Sequence, residues 1–203
     1  TLDVAQFAAI AAARTSLADI TSAADALWNQ VAITAANTDT TLPTTGLGDG
    51  TYHVYTADAA GNLSAPSGTV TVDGTAPWAN SFTATATAVG ATSTESGTLG
   101  LYDGSNTLLA KAGGGTFSAP MAANTAASIA LQAQAAATTA TLKVLDAAGN
   151  VATGMRTVVL GTDGNDAALA GTGGADFLFG FAGNDRFVFN AVFGSSSDSH
   201  INT

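Results

Sequence analysis

Apolar residues along the chain follow three spacings in turn. Over 1–30, Leu2, Val4, Phe7, Ile10 and Ala11 recur near helical spacing, followed by Leu17, Ile20, Leu27 and Trp28. This pattern predicts a helical segment packed on a β-layer. Thr15 or Ser16, with Asp19 following, has the form of a capping box that opens a second short helix. From Val31 the pattern becomes alternation. The stretch "TLPTTGLGDGTYHVYTADAAGNLSAPSGTVTVDGTAP" (41–77) sets β-forming runs between turn clusters. It predicts two strands, "TYHVYTAD" and "GTVTVD", connected through "AAGN".

The same pattern returns 88 residues on, from Asp58 to Asp146, in "TATLKVLDAAGNVATGMRTVVLGTD" (139–163). The alignment needs no gap: Val54 matches Leu142, Thr56 matches Val144, and "GTVTVD" matches "RTVVLG". Short strands repeated at this interval predict tandem β-sandwich modules. Residues 78–160 hold a complete one, with "SFTATATAV", "GTLGLYDGSNTLLAKAG" and "ASIALQAQ" ahead of the DAAGN hairpin. Residues 31–77 hold only the closing strands of another, with the helical stretch standing where its opening strands belong.

A third spacing begins at Gly161. Three turns of the form Gly-x-x-Gly-x-Asp follow one another: "GTDGND" (161–166), "GTGGAD" (171–176) and "GFAGND" (180–185). Each leads into a short apolar tail, which offers Leu169, Leu178, Phe187 and Phe189 to a core or its edge. Glycine lets the chain turn tightly. Carbonyls such as those of Gly161 and Gly180 can then face inward, and the Asp carboxylate completes an oxygen cage for a hard cation. The nonapeptide form of this pattern is a parallel roll in which turns one and three share a side. That places the best-formed metal site between 161–166 and 180–185, with Asp166 and Asp185 as ligands and Asp163 assisting. Asp176 belongs to a second, half-built site. The spacing departs from the ideal in three places: Asp166 and Asp176 are ten residues apart, Ala168 replaces a large apolar residue, and Phe181 replaces a glycine.

Charge narrows the choice of partners. The net charge is −10, and every acid but Glu95 is aspartate. Without a basic patch to displace phosphate counterions, nucleic acid is not expected as a partner; Ca2+ is the expected cofactor. There is no cysteine, so disulfides and thiol chemistry are excluded. No apolar run is long enough for a transmembrane helix, and "TLDVAQFAAIAAART" lacks the form of a signal peptide.

The residues "DGTYHVYTADAAGNLSAPSGTVTVDGTAP" and "TLKVLDAAGN" resemble the bacterial immunoglobulin-like repeats of large secreted adhesins, over most of 31–160. The three glycine–aspartate turns resemble the calcium β-roll of the RTX family of type I secreted proteins, and the resemblance extends over 161–203. The chain stops at "HINT", short of the tail such secretion segments carry, which implies a longer protein. Together the resemblances imply a mainly β chain: immunoglobulin-like β-sandwich modules, an N-terminal helical segment and a short C-terminal parallel β-roll. The expected division is 1–30 helical segment, 31–77 partial module, 78–160 complete module, and 161–203 β-roll with the start of a secretion segment. The adhesin resemblance also implies calcium near module junctions, for which Asp73 in "VDGTAP" is the candidate. Asp58 and Asp146 have two readings that the sequence leaves open: caps of their own hairpin turns or calcium ligands.

Catalytic signals are absent: there is no HExxH helix and no G-x-S-x-G elbow. His53 and His200 are solitary, and Trp28 and Trp78 are expected as core anchors. The expectation is a non-enzymatic, secreted or bacterial cell-surface protein of structural or adhesive kind. Its expected partners are its own copies or tandem modules, with a cell-surface glycan as a further one. The alternative is the non-catalytic C-terminal region of a type I secreted hydrolase.

Overall fold

The computed structural model describes residues 2–9, 16–23, 27–35, 37–189 and 199–201. The chain is mainly β, in several sheets, and forms two compact units, Thr1–Thr75 and Ala76–Thr203.

In the first unit, β1 (Leu2–Ala9), the helix α1 (Leu17–Thr21), β2 (Trp28–Ala32), β3 (Gly50–Asp58) and β4 (Thr69–Val72) follow in order. The strands form one antiparallel sheet, β2-β1-β3-β4. The helical segment expected over 1–30 is therefore corrected to strand, five-residue helix and strand. An isolated helix of this length is marginal in water, whereas residues 2–9 as a central strand satisfy ladders on both sides and close an edge of β3. The capping box does form. Asp19 N donates to Ser16 Oγ at 3.3 Å, and Ser16 N donates to Asp19 Oδ2 at 3.1 Å. It sets α1 so that Ile20 is buried with Tyr55, against Trp28 and Leu63.

The second unit opens with β5 (Ala79–Thr85), β6 (Ala88–Ser93), β7 (Gly97–Tyr102), β8 (Ser118–Met121), β9 (Ala127–Ala130), β10 (Thr138–Asp146) and β11 (Arg156–Leu160). Among the described residues four short strands follow β11: β12 (Leu169–Ala170), β13 (Asp176–Phe179), β14 (Phe187–Val188) and β15 (Ser199–Ile201). One layer is β5-β6-β9, all antiparallel; the other is the six-stranded β15-β13-β11-β10-β7-β8. Leu99, Leu101, Leu142, Val144, Val158 and Leu160 from the large sheet meet Val89, Ala91 and Ile129 from the small one in a single core.

The sequence repeat is reproduced in strand register. Gly50 pairs with Val72 and Tyr52 with Val70; Thr138 pairs with Leu160 and Ala140 with Val158. The strands before them correspond as well: β1 pairs with β3 as β7 pairs with β10, both antiparallel. After β11 the pairing changes to parallel. β11, β13 and β15 are parallel neighbours in the large sheet, and β12 and β14 are parallel in a separate two-stranded sheet. The chain thus alternates between two parallel stacks, with Val159, Leu169, Leu178 and Phe187 packed between them. There is no break in the sheet between 78–160 and 161–189, because β11 belongs to both arrangements. Phe189 is 42% exposed, so it does not join this core. Residues 190–198, inside the expected secretion segment, lie outside the described residues.

Candidate functional site

The three glycine–aspartate turns connect the parallel strands. Turns one and three lie together, as their spacing requires. Gly161 N donates to Phe179 O at 2.8 Å, Asp166 N to Asp185 Oδ1 at 3.0 Å, Asn184 N to Asn165 Oδ1 at 2.8 Å and Arg186 N to Asp166 O at 2.9 Å. The glycines are needed for this contact. A Cβ at Gly161 would lie 2.5 Å from Asp166 Oδ2, one at Gly180 would overlap Asp185 Oδ2, and one at Gly183 would meet Gly164 backbone at 2.6 Å.

Within each turn the aspartate folds back toward the first glycine, but the three differ in what it meets. In turn one, Asp166 is 8% exposed and both its oxygens have donors: Thr162 N on Oδ2 at 2.9 Å and Thr162 Oγ1 on Oδ1 at 3.2 Å. Turn two repeats this with Asp176, 2% exposed, which accepts from Thr172 N at 2.5 Å and Thr172 Oγ1 at 2.9 Å. In turn three the equivalent of the threonine is Phe181, with φ of 62° and no hydroxyl. Asp185 Oδ1 accepts from Asp166 N, while Oδ2 is buried with no hydrogen-bond partner. Asp163 is exposed on the first turn. Gly161 O accepts from Gln134 N at 2.9 Å, so that carbonyl is directed at the protein. The departure at Phe181 thus leaves one orphaned carboxylate oxygen. An anionic oxygen buried without a donor is costly, and a hard cation is the species that such an oxygen suits.

The aspartates of the DAAGN hairpins cap their own turns. Asp58 Oδ1 accepts from Ala60 N and Asn62 N, each at 2.9 Å, and Oδ2 from Asn62 Nδ2 at 2.8 Å. Asp146 accepts from Asn150 N at 2.9 Å and Asn150 Nδ2 at 2.8 Å. Gly61 and Gly149 adopt φ of 84° and 93° where the chain must turn. The side chain of Asn62, with backbone amides of the turn, holds the Asp58 carboxyl below its ordinary range. Burial pushes Asp146 up, but the bonds from Asn150, Gly149 and Ala148 outweigh it, and the net shift is also downward.

Two aspartates, Asp103 and Asp49, were given no functional role by sequence. Asp103 caps "DGSNT" in the same way, accepting from Ser105 N and Thr107 N at 2.9 Å each, with Asn106 at φ of 63°. The signal was present in the shared Asp-x-x-(Gly/Asn) spacing. Asp49 accepts from Gly74 N at 2.6 Å and from the Thr75 hydroxyl, and these bonds lower its pKa. It thereby fastens the end of the first unit to the start of β3, where Asp73 accepts from Thr75 N at 3.2 Å. Glu95 places a carboxylate oxygen within 4.8 Å of one from Asp146. His53 Nδ1 lies 3.2 Å from Ser67 O, on the exposed hairpin. Trp28 packs on the first-unit core from β2, but Trp78 is 59% exposed and is no core anchor.

No protein-family model matches this chain, and no curated protein is significantly similar to it.

Proposed function

We propose that this chain is a non-catalytic structural or adhesive protein of the bacterial cell exterior, whose C-terminal strand stack folds and assembles with calcium. A surface layer, an adhesin rod or an extracellular filament is its setting. The observation that carries this reading is the buried, unpartnered Asp185 Oδ2 in a stack of parallel strands joined by Gly-x-x-Gly-x-Asp turns. Asp185 is the residue that would hold the ion. When bound, the ion would meet at Asp185 Oδ2 the need that the backbone N–H groups of Thr162 and Thr172 meet at Oδ2 in the other two turns.

On this reading 161–189 is a short calcium β-roll and the rest consists of immunoglobulin-like modules. The order β5-β6-β9 facing β8-β7-β10-β11 corresponds to strands A-B-E and C′-C-F-G of an immunoglobulin-like sandwich. By the same correspondence β2-β1-β3-β4 is C′-C-F-G alone. Tyr52, at the start of the F-like strand, donates from its hydroxyl to Gly48 O at 2.7 Å, as the tyrosine corner of such domains does. Among the described residues β2 and β4 are the edges of the first sheet, and open edges favour pairing with further copies or modules.

Hydrogen exchange with and without calcium tests the proposal. Calcium should slow exchange across 161–189, and Asp185→Asn should remove most of that effect. Asp166→Asn should speed exchange in the same turns with or without the ion, because Asp166 is satisfied internally. Exchange that ignores calcium overturns the calcium reading.

A further inference from the structure

We infer that the second unit carries a binding site for an acidic saccharide, in the pocket between Trp78, Phe82 and Arg156. The pocket has a volume of about 360 Å³, near the lower end of the range for small-molecule sites and large enough for roughly one or two sugar rings. It does not depend on the calcium reading and gives the chain a ligand that a purely structural role lacks.

Three features of the pocket point to this chemistry. The first is Trp78, 59% exposed, although a tryptophan without a ligand usually buries its large apolar face. Its backbone is held firmly: Trp78 N donates to Thr94 Oγ1 at 3.0 Å, Thr94 N donates to Trp78 O at 3.1 Å, and Trp78 forms a parallel bridge with Thr153. The indole is therefore a flat apolar surface presented on a fixed stem, as stacking on the C–H face of a pyranose requires.

The second feature is Arg156, one of five basic residues among fifteen acids. Its guanidinium lies 4.6 Å from the centroid of the Phe82 ring, a cation–π contact that holds it at the pocket. Among the described residues its hydrogen bond is from Nη1 to Met155 O at 3.2 Å, and no carboxylate pairs with it. The remaining donors form a planar fork suited to a carboxylate. In a chain this acidic, an arginine kept clear of the described carboxylates suits an external anion.

The third is Asn80. The β5–β6 pairing shifts register between Ala79 and Ser81, so Asn80 sits on a bulge, a device that re-aims a side chain. It is exposed at the pocket and offers both a donor and an acceptor to sugar hydroxyls. A stacking face, a carboxylate fork and an amide side by side match a uronate ring better than an acidic peptide, which has no flat apolar face.

The full chain, isotope-labelled, is titrated with a β-glucuronate trisaccharide, the matching neutral glucose trisaccharide and a tetraglutamate peptide, followed by amide and indole NMR shifts. The glucuronate should shift the Trp78 indole and the amides around residues 78–82 and 154–156. The neutral sugar and the peptide should bind at least about tenfold more weakly, as should glucuronate to Trp78→Ala or Arg156→Gln, a loss of about 1.4 kcal/mol. Both substituted side chains are at the surface, and the remaining amide shifts report that the variants stay folded. Equal binding of the neutral sugar, tighter binding of the peptide, or no saturation by about 10 mM glucuronate overturns the inference. So does self-association that Trp78→Ala abolishes, which would make the pocket a contact between copies.

Discussion

Asp58, Asp103 and Asp146 each receive backbone amides two and four residues ahead, or four ahead with an amide side chain, and each is followed by a residue at positive φ. One carboxylate thus substitutes for the missing ladder at a hairpin end. Asp146→Ala leaves Asn150 N and Nδ2 without their acceptor and should cost about 2 kcal/mol in chemical denaturation. The folded-state pKa values of Asp58 and Asp146 are lowered. Their contribution is therefore complete above the unfolded value of about 4 and is lost as pH falls through the lower folded one. Denaturation midpoints should accordingly fall below pH 4, and the fall should be shallower in Asp146→Asn. In the glycine-rich turns Oδ2 of the aspartate is satisfied where Thr162 or Thr172 donates its backbone N–H, with the hydroxyl on Oδ1, and is orphaned in Asp185, where Phe181 stands in their place. Thr162→Val should destabilise turn one by about 1–2 kcal/mol, seen as faster exchange of residues 161–166 in calcium and in chelator alike.

At the level of elements, β11 serves two cores. Val158 and Leu160 face the core shared with β5-β6-β9, while Val159 faces Leu169, Leu178 and Phe187. A strand buried on both faces reads as a continuous apolar run, and the buried part of β11, Val158-Val159-Leu160, does so. Its counterpart in the first repeat, β4, has the exposed Thr71 where Val159 stands. That one difference marks where a second core is built. β13 repeats the arrangement, with Phe177 and Phe179 on one side and Leu178 on the other. Leu178→Ala should cost about 2–4 kcal/mol, read as lost protection in β11 through β14. Thr71→Val should change stability by less than about 0.5 kcal/mol. Similar costs for the two substitutions would contradict the assignment of two cores.

For the whole molecule, the deciding quantity is charge set against weak apolar content. Asp163, Asp166, Asp176 and Asp185 fall within 161–189, with Arg186 the only base there. Glycine raises the entropy of the unfolded segment and the carboxylates repel one another, so folding gains from any cation that binds only the folded stack. At a free calcium concentration a hundredfold above Kd that gain is about 2.7 kcal/mol. Thermal denaturation should therefore show a calcium-dependent transition assigned to the second unit and a calcium-independent one for the first. Asp185→Asn should make both insensitive to the ion. Screens against peptide, ester and glycoside substrates should find no turnover, and an activity abolished by one point substitution would contradict the non-catalytic assignment.

What the amino-acid order determined by itself is local or repetitive. Alternation placed β3, β4, β10 and β11, the gap-free interval anticipated a register that recurs from Gly50↔Val72 to Thr138↔Leu160, and glycine–aspartate spacing anticipated turns one and three side by side. These were legible because turn chemistry and side-chain period act over a few residues. Residues 2–9 were not legible: an alanine-rich stretch with near-helical spacing leans toward helix, but that preference is small and pairing along the open edge of β3 overrode it. Nor was the fate of each turn aspartate. Whether an Asp meets a hydroxyl, as Asp166 and Asp176 do, or remains buried without a partner at Oδ2, as Asp185 does, depends on which groups the folded turn brings within hydrogen-bond range. Trp78 was misplaced for the same reason, since a large apolar side chain seeks cover but only the tertiary structure determines whether neighbours surround it.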